Sequence, residues 1–160
     1  MSSENRAAKA LGRTFPGGTA QFVAEMNSKA TNLGMHSSRF ADPAGLDAGT
    51  VSTAADLARM LEAAETYPLI TEASTTEKMD VRPWSNRGAL TYGNTNRLLR
   101  SENWDIALSK TGFLREAGRC LVMQANIEGE EISIVLLNSF GKLTPYGDSN
   151  RLRKWMLANS

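Results

Sequence analysis

The order of residues predicts an α+β fold: helices first, then an antiparallel sheet, then one closing helix. Three observations carry this. Apolar residues recur at helical spacing in two early stretches, β-branched and aromatic residues alternate with polar ones after Thr71, and Thr144-Pro145 opens a last helical stretch. No repeat, linker or low-complexity run breaks the 160 residues, so a single domain spanning 1–160 is expected.

Glu4 to Arg13 is alanine-rich and preceded by serine, which reads as a short helix capped by Ser2 or Ser3 and ended near Gly12. The Phe15-Pro16-Gly17-Gly18 stretch breaks it. From Thr19, placed as a cap, Phe22, Val23, Met26, Ala30 and Leu33 share one helical face, and Gly34 stops the run. Arg39 to Asp47 is turn chemistry, with Pro43 setting φ and Gly45 supplying a left-handed position. Ser52 or Thr53 caps a further helix, with Leu57, Met60, Leu61 and Ala64 on one face, which runs out before Pro68. Thr75 to Val81 and Ala89 to Leu99 read as weak strands or loops. Ile106 to Thr111, Cys120 to Ile127 and Ile132 to Leu137 read as stronger strands, the last two joined in a hairpin at Glu128-Gly129-Glu130. In the closing helix, Thr144 is read as the cap and Pro145 as the first helical residue, with Leu152, Trp155 and Met156 on one side.

Composition narrows the function. A content of 41% hydrophobic and 22% charged residues is that of a globular chain, which excludes a disordered tail or a fibre. Eighteen basic against seventeen acidic residues leave a formal charge of +1, so no nucleic-acid partner is expected. Cys120 is the one cysteine and His36 the one histidine. Neither a disulfide nor a zinc cluster can be built from them, and His36 reads as a solvated loop residue. The first residues lack the apolar stretch of a secretory leader, and Ile132 to Leu137 is too short to span a bilayer.

Two strings carry chemistry: Ser3-Glu4-Asn5 at the start and Lys110-Thr111-Gly112 at the end of a predicted strand. Alone, the first is a helix cap and the second a strand end. Together, in this order and on these elements, they match two parts of the active-serine signature of penicillin-binding proteins and β-lactamases. The segments SSENRAA, FVAEMNSKATNLGM, DPAGLD, VSTAADLARML, YPLI, NTNRLL, SKTGF and GRCLVM extend the match over essentially the whole chain. The sequence resembles the low-molecular-mass penicillin-binding proteins of the D-alanyl-D-alanine carboxypeptidase and endopeptidase family, most like the branch called penicillin-binding protein 7.

The resemblance implies a partial transpeptidase-like fold and a serine peptidase of the periplasm that acts on peptidoglycan peptides through an acyl-enzyme and binds β-lactams. It implies no cofactor and no metal. By the same resemblance Ser3 relays a proton, Asn5 holds the substrate backbone, and Lys110 supplies positive potential and a proton-relay contact. Thr111 donates to the substrate carboxylate, Gly112 lets substrate lie close, the Phe113 N–H is half of an oxyanion hole, and Lys142 is a cation for the terminal carboxylate.

The family's nucleophile belongs to a Ser-x-x-Lys motif that precedes Ser-x-Asn, and these residues begin at Ser-x-Asn. Ser139-Phe140-Gly141-Lys142 has the spacing but follows Lys-Thr-Gly and carries a helix-disfavouring glycine, so it is rejected. The expectation is therefore a C-terminal portion, lacking the nucleophile helix and the N-terminal strands, and inactive by itself. A non-catalytic module that binds muropeptides or a protein is the alternative. The apolar strand Ile132 to Leu137 is expected to pair with an N-terminal segment or with a second copy, or else to be shielded by a rearranged segment, because a bare oily edge invites another strand.

Overall fold

The computed structural model describes residues 1–159. Helices α1 (Asn5–Thr14), α2 (Gly18–Asn32), α3 (Ala54–Glu65) and α4 (Pro68–Thr75) come first. A small hairpin follows, β1 (Lys78–Val81) and β2 (Leu90–Gly93), then a 3₁₀ turn at Arg97–Arg100. Strands β3 (Asp105–Leu114), β4 (Gly118–Ile127) and β5 (Glu130–Ser139) form an antiparallel sheet in the order β3-β4-β5, and α5 (Thr144–Leu157) ends the chain.

The central strand is buried on both faces. Leu121, Met123, Ala125 and Ile127 alternate toward one core, where they meet Leu98, Trp104 and Ile134 together with Tyr146, Met156 and Leu157 of α5. Val122 points the other way and packs with Leu108 and with Leu61 of α3. Helices therefore cover both faces, and β4 reads as a nearly continuous apolar run for that reason. Each fully buried side chain such as Leu121 or Met123 contributes about 1.5–3 kcal/mol. The Trp104 indole N–H donates to Asn150 Oδ1 at 2.9 Å, which ties α5 to the approach to β3.

Turns set the register of the sheet. Glu128 and Gly129 take φ of 55° and 87°, the two positive values of a two-residue hairpin turn. Gly118 opens β4 at φ +64°, and a Cβ there would lie 2.9 Å from the Asn138 backbone, so only glycine fits. The loop from α2 to α3 is closed by the buried Asp56. Its carboxylate accepts from Ser37 N at 2.9 Å, Ser38 Oγ at 2.7 Å and Arg59 Nη1 at 3.1 Å.

Several element boundaries differ from the sequence reading. Helix α4 occupies the start of the region read as strands or loops. Thr71 Oγ1 donates to Pro68 O and Thr75 Oγ1 to Thr71 O, both at 2.8 Å, so the β-branched threonines are satisfied inside a helix opened by Pro68. The α1 cap is Glu4, whose carboxylate accepts from Arg6 N at 3.0 Å, and not Ser2 or Ser3. Helix α2 is capped by Gly17 at φ 84° and already includes Thr19. Leu143 rather than Thr144 caps α5. On α5, Leu152 and Trp155 are 41% and 66% exposed, whereas Pro145 and Ser149 are buried. Residues 89–99 divide into β2 and the 3₁₀ turn. Thr53 does cap α3, accepting from Asp56 N at 3.2 Å, and His36 is exposed.

Gly12 does not end α1; it lies inside the helix and is buried. A Cβ at this position would stand 2.6 Å from Pro43 Cγ, so the missing side chain lets α1 rest on the Asp42–Asp47 turn. That turn is held by the Asp42 carboxylate, which accepts from the N–H groups of Ala44, Leu46 and Asp47. Gly12→Ala gains up to about 1 kcal/mol of helix propensity but overpacks the contact by about 1–3 kcal/mol. The expected outcome is a net loss of about 1–2 kcal/mol in urea unfolding. A raised midpoint would mean that Pro43 yields without strain.

Candidate active site

The site is built on the outer edge of β3. Ser109 turns its N–H away from β4 and donates to Ser74 Oγ of α4 at 3.3 Å. Backbone groups repeat their direction every second residue along a strand, so Thr111 and Phe113 face the same outer edge. The Thr111 carbonyl fits this placement, because it accepts from Lys110 Nζ. Helix α4 thus covers the first half of the β3 edge and leaves the stretch Thr111 to Phe113 open.

Ser3 is brought to this edge from the far end of the sequence. It takes φ 55°, an uncommon value for a residue with a side chain, and its Oγ accepts from Lys110 Nζ at 2.8 Å. Lys110 retains some solvent exposure, yet the crowding of protein around its ammonium lowers its pKa below the ordinary lysine value through loss of hydration. The lysine therefore sits between a hydroxyl and a carbonyl, where it can hold or pass a proton.

Thr111 Oγ1 lies 2.5 Å from Thr95 Oγ1, and the Tyr146 hydroxyl donates to Thr95 O at 3.0 Å. A cavity of about 520 Å³ opens here, lined by Ser3, Thr95, Thr111, Phe113, Lys142 and Tyr146 among others. Lys142 follows β5 in a short turn, and among the described residues no carboxylate forms an ion pair with it. The Arg119 guanidinium stacks over Phe113, 4.4 Å from the ring centroid. A Cβ on Gly112 would meet Cys120 Cβ at 3.8 Å, an ordinary contact, so the chain's own packing does not require glycine there.

Ser3, Lys110, Thr111, Gly112, Phe113 and Lys142 are thus brought together. Asn5 is not. It is the first residue of α1, exposed and outside the cavity lining. Ser139 ends β5 and Lys142 lies beyond it, so the rejected Ser-x-x-Lys string occupies no helix. Sequence reasoning gave no role to Thr95, Tyr146 or Arg119. The run Asn94-Thr95-Asn96 carried a usable signal: Asn94 Nδ2 donates to Ser74 O and Thr76 O at 2.7 and 3.0 Å, and Asn96 Oδ1 accepts from Leu98 N at 3.0 Å. Two asparagines spent on backbone groups hold the threonine between them in place.

Chemically, the open edge can add an extended peptide as a further strand, and the cations and hydroxyls beside it can take a carboxylate. Among the described residues, no group of three or more His, Cys, Asp and Glu side chains could hold a metal ion.

An α+β fold with this strand edge is that of the penicillin-binding and DD-transpeptidase proteins. The Streptomyces K15 DD-transpeptidase superposes with a TM-score of 0.86 at 27% identity, over 95% of this chain and 62% of that one. A Mycobacterium tuberculosis D-alanyl-D-alanine carboxypeptidase gives 0.86 at 28% identity, over 98% and 60%. The profile of the D-alanyl-D-alanine carboxypeptidase family matches residues 1–141, and the chain belongs to that family. It is 46% identical over 156 residues to a D-alanyl-D-alanine endopeptidase of Pseudomonas aeruginosa, covering 98% of this chain and 50% of the relative. The Escherichia coli D-alanyl-D-alanine endopeptidase is also 46% identical, over 157 residues, with 98% and 50% covered. The chain spans about half the length of these curated relatives.

Burial gives Lys110 a testable signature. With its pKa lower folded than unfolded, the unfolded state holds the proton more tightly, so stability rises with pH from the folded value up to the unfolded one near ~10.4. Lys110→Met removes this dependence, and its urea midpoints should climb less steeply over that alkaline range. Parallel curves for the two proteins would show an ammonium that is fully hydrated.

Proposed function

We propose that the protein works as a serine-type D-alanyl-D-alanine peptidase on peptidoglycan cross-link peptides in the periplasm, as an endopeptidase rather than a carboxypeptidase. The observation that carries the proposal is the open β3 edge, where Thr111 and Lys142 share a cavity with Ser3 and Ser3 is bonded to Lys110. The names of the relatives that are 46% identical support the endopeptidase choice.

In this reading the extended peptide runs along β3, Thr111 and Lys142 hold the carboxylate beyond the scissile bond, and the Phe113 N–H meets the carbonyl oxygen. A serine oxygen attacks the carbonyl carbon, the carbon–nitrogen bond breaks, and the serine proton reaches the leaving amine through Ser3 and Lys110. Water then cleaves the ester. The attacking serine belongs to a Ser-x-x-Lys helix, and among the described residues no helix carries that motif. The chain alone is therefore expected to be inert.

A labelled penicillin tests this. It should form a covalent adduct with the protein that carries both this chain and a Ser-x-x-Lys helix, and none with the 160 residues alone. No adduct on the former would favour a non-catalytic binding module, and an adduct on Ser139 would overturn the assignment of roles. In the acylating protein, Thr111→Val removes a charge-assisted hydrogen bond of about 1.5–3 kcal/mol. Turnover should fall about 10- to 100-fold with little change in thermal stability. A collapse of stability with unchanged turnover per folded molecule would make Thr111 a structural strand residue.

A partner for β5 belongs to the same proposal. Among the described residues no strand pairs with its outer edge. Between β5 and α5 a groove is lined by Leu136, Leu152 and Trp155, with Asp148 and Arg151. An apolar strand with unpaired backbone groups recruits another strand, either from elsewhere in the protein or from a second copy. Light scattering on the 160-residue chain should give a dimer or larger species. A stable monomer would defeat the pairing.

A further inference from the structure

Beyond Thr111 and Lys142, the same cavity is lined by Arg97 and Arg100, and these two have no place in the scheme above. They are the first and last residues of the 3₁₀ turn. Side chains three apart in such a turn eclipse one another, so both guanidiniums leave from one side. The turn between them is firmly seated: Leu98 is 6% exposed in the core, and Asn96, 1% exposed, caps it through Leu98 N.

The turn is also tied directly to the carboxylate end of the site. Thr95, whose hydroxyl lies 2.5 Å from that of Thr111, stands two residues before Arg97, and Tyr146 fastens the Thr95 carbonyl. Two like charges on one side of a short turn repel, and among the described residues neither forms an ion pair. The cavity lining contains no Asp or Glu at all. A single terminal carboxylate is already met by Thr111 and Lys142. Paired guanidinium forks suit a second one, because each presents two parallel N–H donors to a carboxylate.

We propose that Arg97 and Arg100 form a second carboxylate site on the leaving-group side, so that the favoured leaving group is an acidic residue or peptide carrying two carboxylates rather than D-alanine. The proposal rests on the peptidase reading of the cavity, and it gives a physical ground for cleaving cross-links. A peptide released from a cross-link carries additional carboxylates, whereas free D-alanine carries one.

Two probes of matched length test it by calorimetric titration of the chain: N-acetyl-D-alanyl-D-2-aminoheptanoate, with one carboxylate, and N-acetyl-D-alanyl-D-2-aminopimelate, with a second at the side-chain end. At low salt the dicarboxylate should bind about tenfold tighter, with the ratio shrinking as salt screens the pair. In Arg97→Gln/Arg100→Gln the ratio should fall to about twofold or less. Arg100→Gln alone carries the same comparison if the double variant does not fold. Equal affinities in the unaltered chain, or an unchanged ratio in the variants, would overturn the second site while leaving the first intact. Failure of both probes to bind would instead defeat the peptide-site reading, and the second site with it.

Discussion

Strand β3 has a strand partner on one edge only, and the rest of the arrangement follows from that constraint. Ten residues of edge backbone cannot stay unsatisfied along their whole length. Ser74 of α4 answers Ser109, and Lys110 answers the Thr111 carbonyl. What remains open is the short stretch to Phe113. The fold thus reduces a general liability of sheets, an exposed edge, to one short open stretch.

Holding that stretch in place takes both cores. The Leu121–Met123–Ala125–Ile127 face fixes β4 against α5, and α5 brings Tyr146 to the Thr95 carbonyl. The Val122 face fixes β4 against α3. Cationic side chains collect around the open edge without acidic neighbours in the cavity, although the chain as a whole carries a formal charge of only +1. Local field and overall charge are separate quantities, and an anionic ligand responds to the first.

Strand β4 was readable as an apolar run because both of its faces are covered, and its hairpin to β5 was readable because the turn at Gly129 demands positive φ. Helix α4 was not readable in the same way. Its threonines satisfy their hydroxyls on their own helix, and composition alone cannot report that. Gly12 misled for a related reason: a glycine inside a helix for close approach looks the same in sequence as one that ends it. At the site, Lys110-Thr111-Gly112 was legible as a motif. Thr95, Tyr146, Arg97 and Arg100 meet it only through long-range packing, which no local pattern records. The absence of Asn5 from the cavity was equally invisible from spacing.

The hydrogen bond from Lys110 to Ser3 joins residues 107 positions apart. A contact of that span closes a long loop, so its formation follows the hairpins and helices, which need only local neighbours. During synthesis at ~5–20 residues per second, the Ser3 strand-edge partner is not yet made for on the order of 5–20 s after Ser3 itself emerges. Ser3 and Lys110 meet only after both are made, and the cavity is complete later still, once Lys142 and Tyr146 have followed.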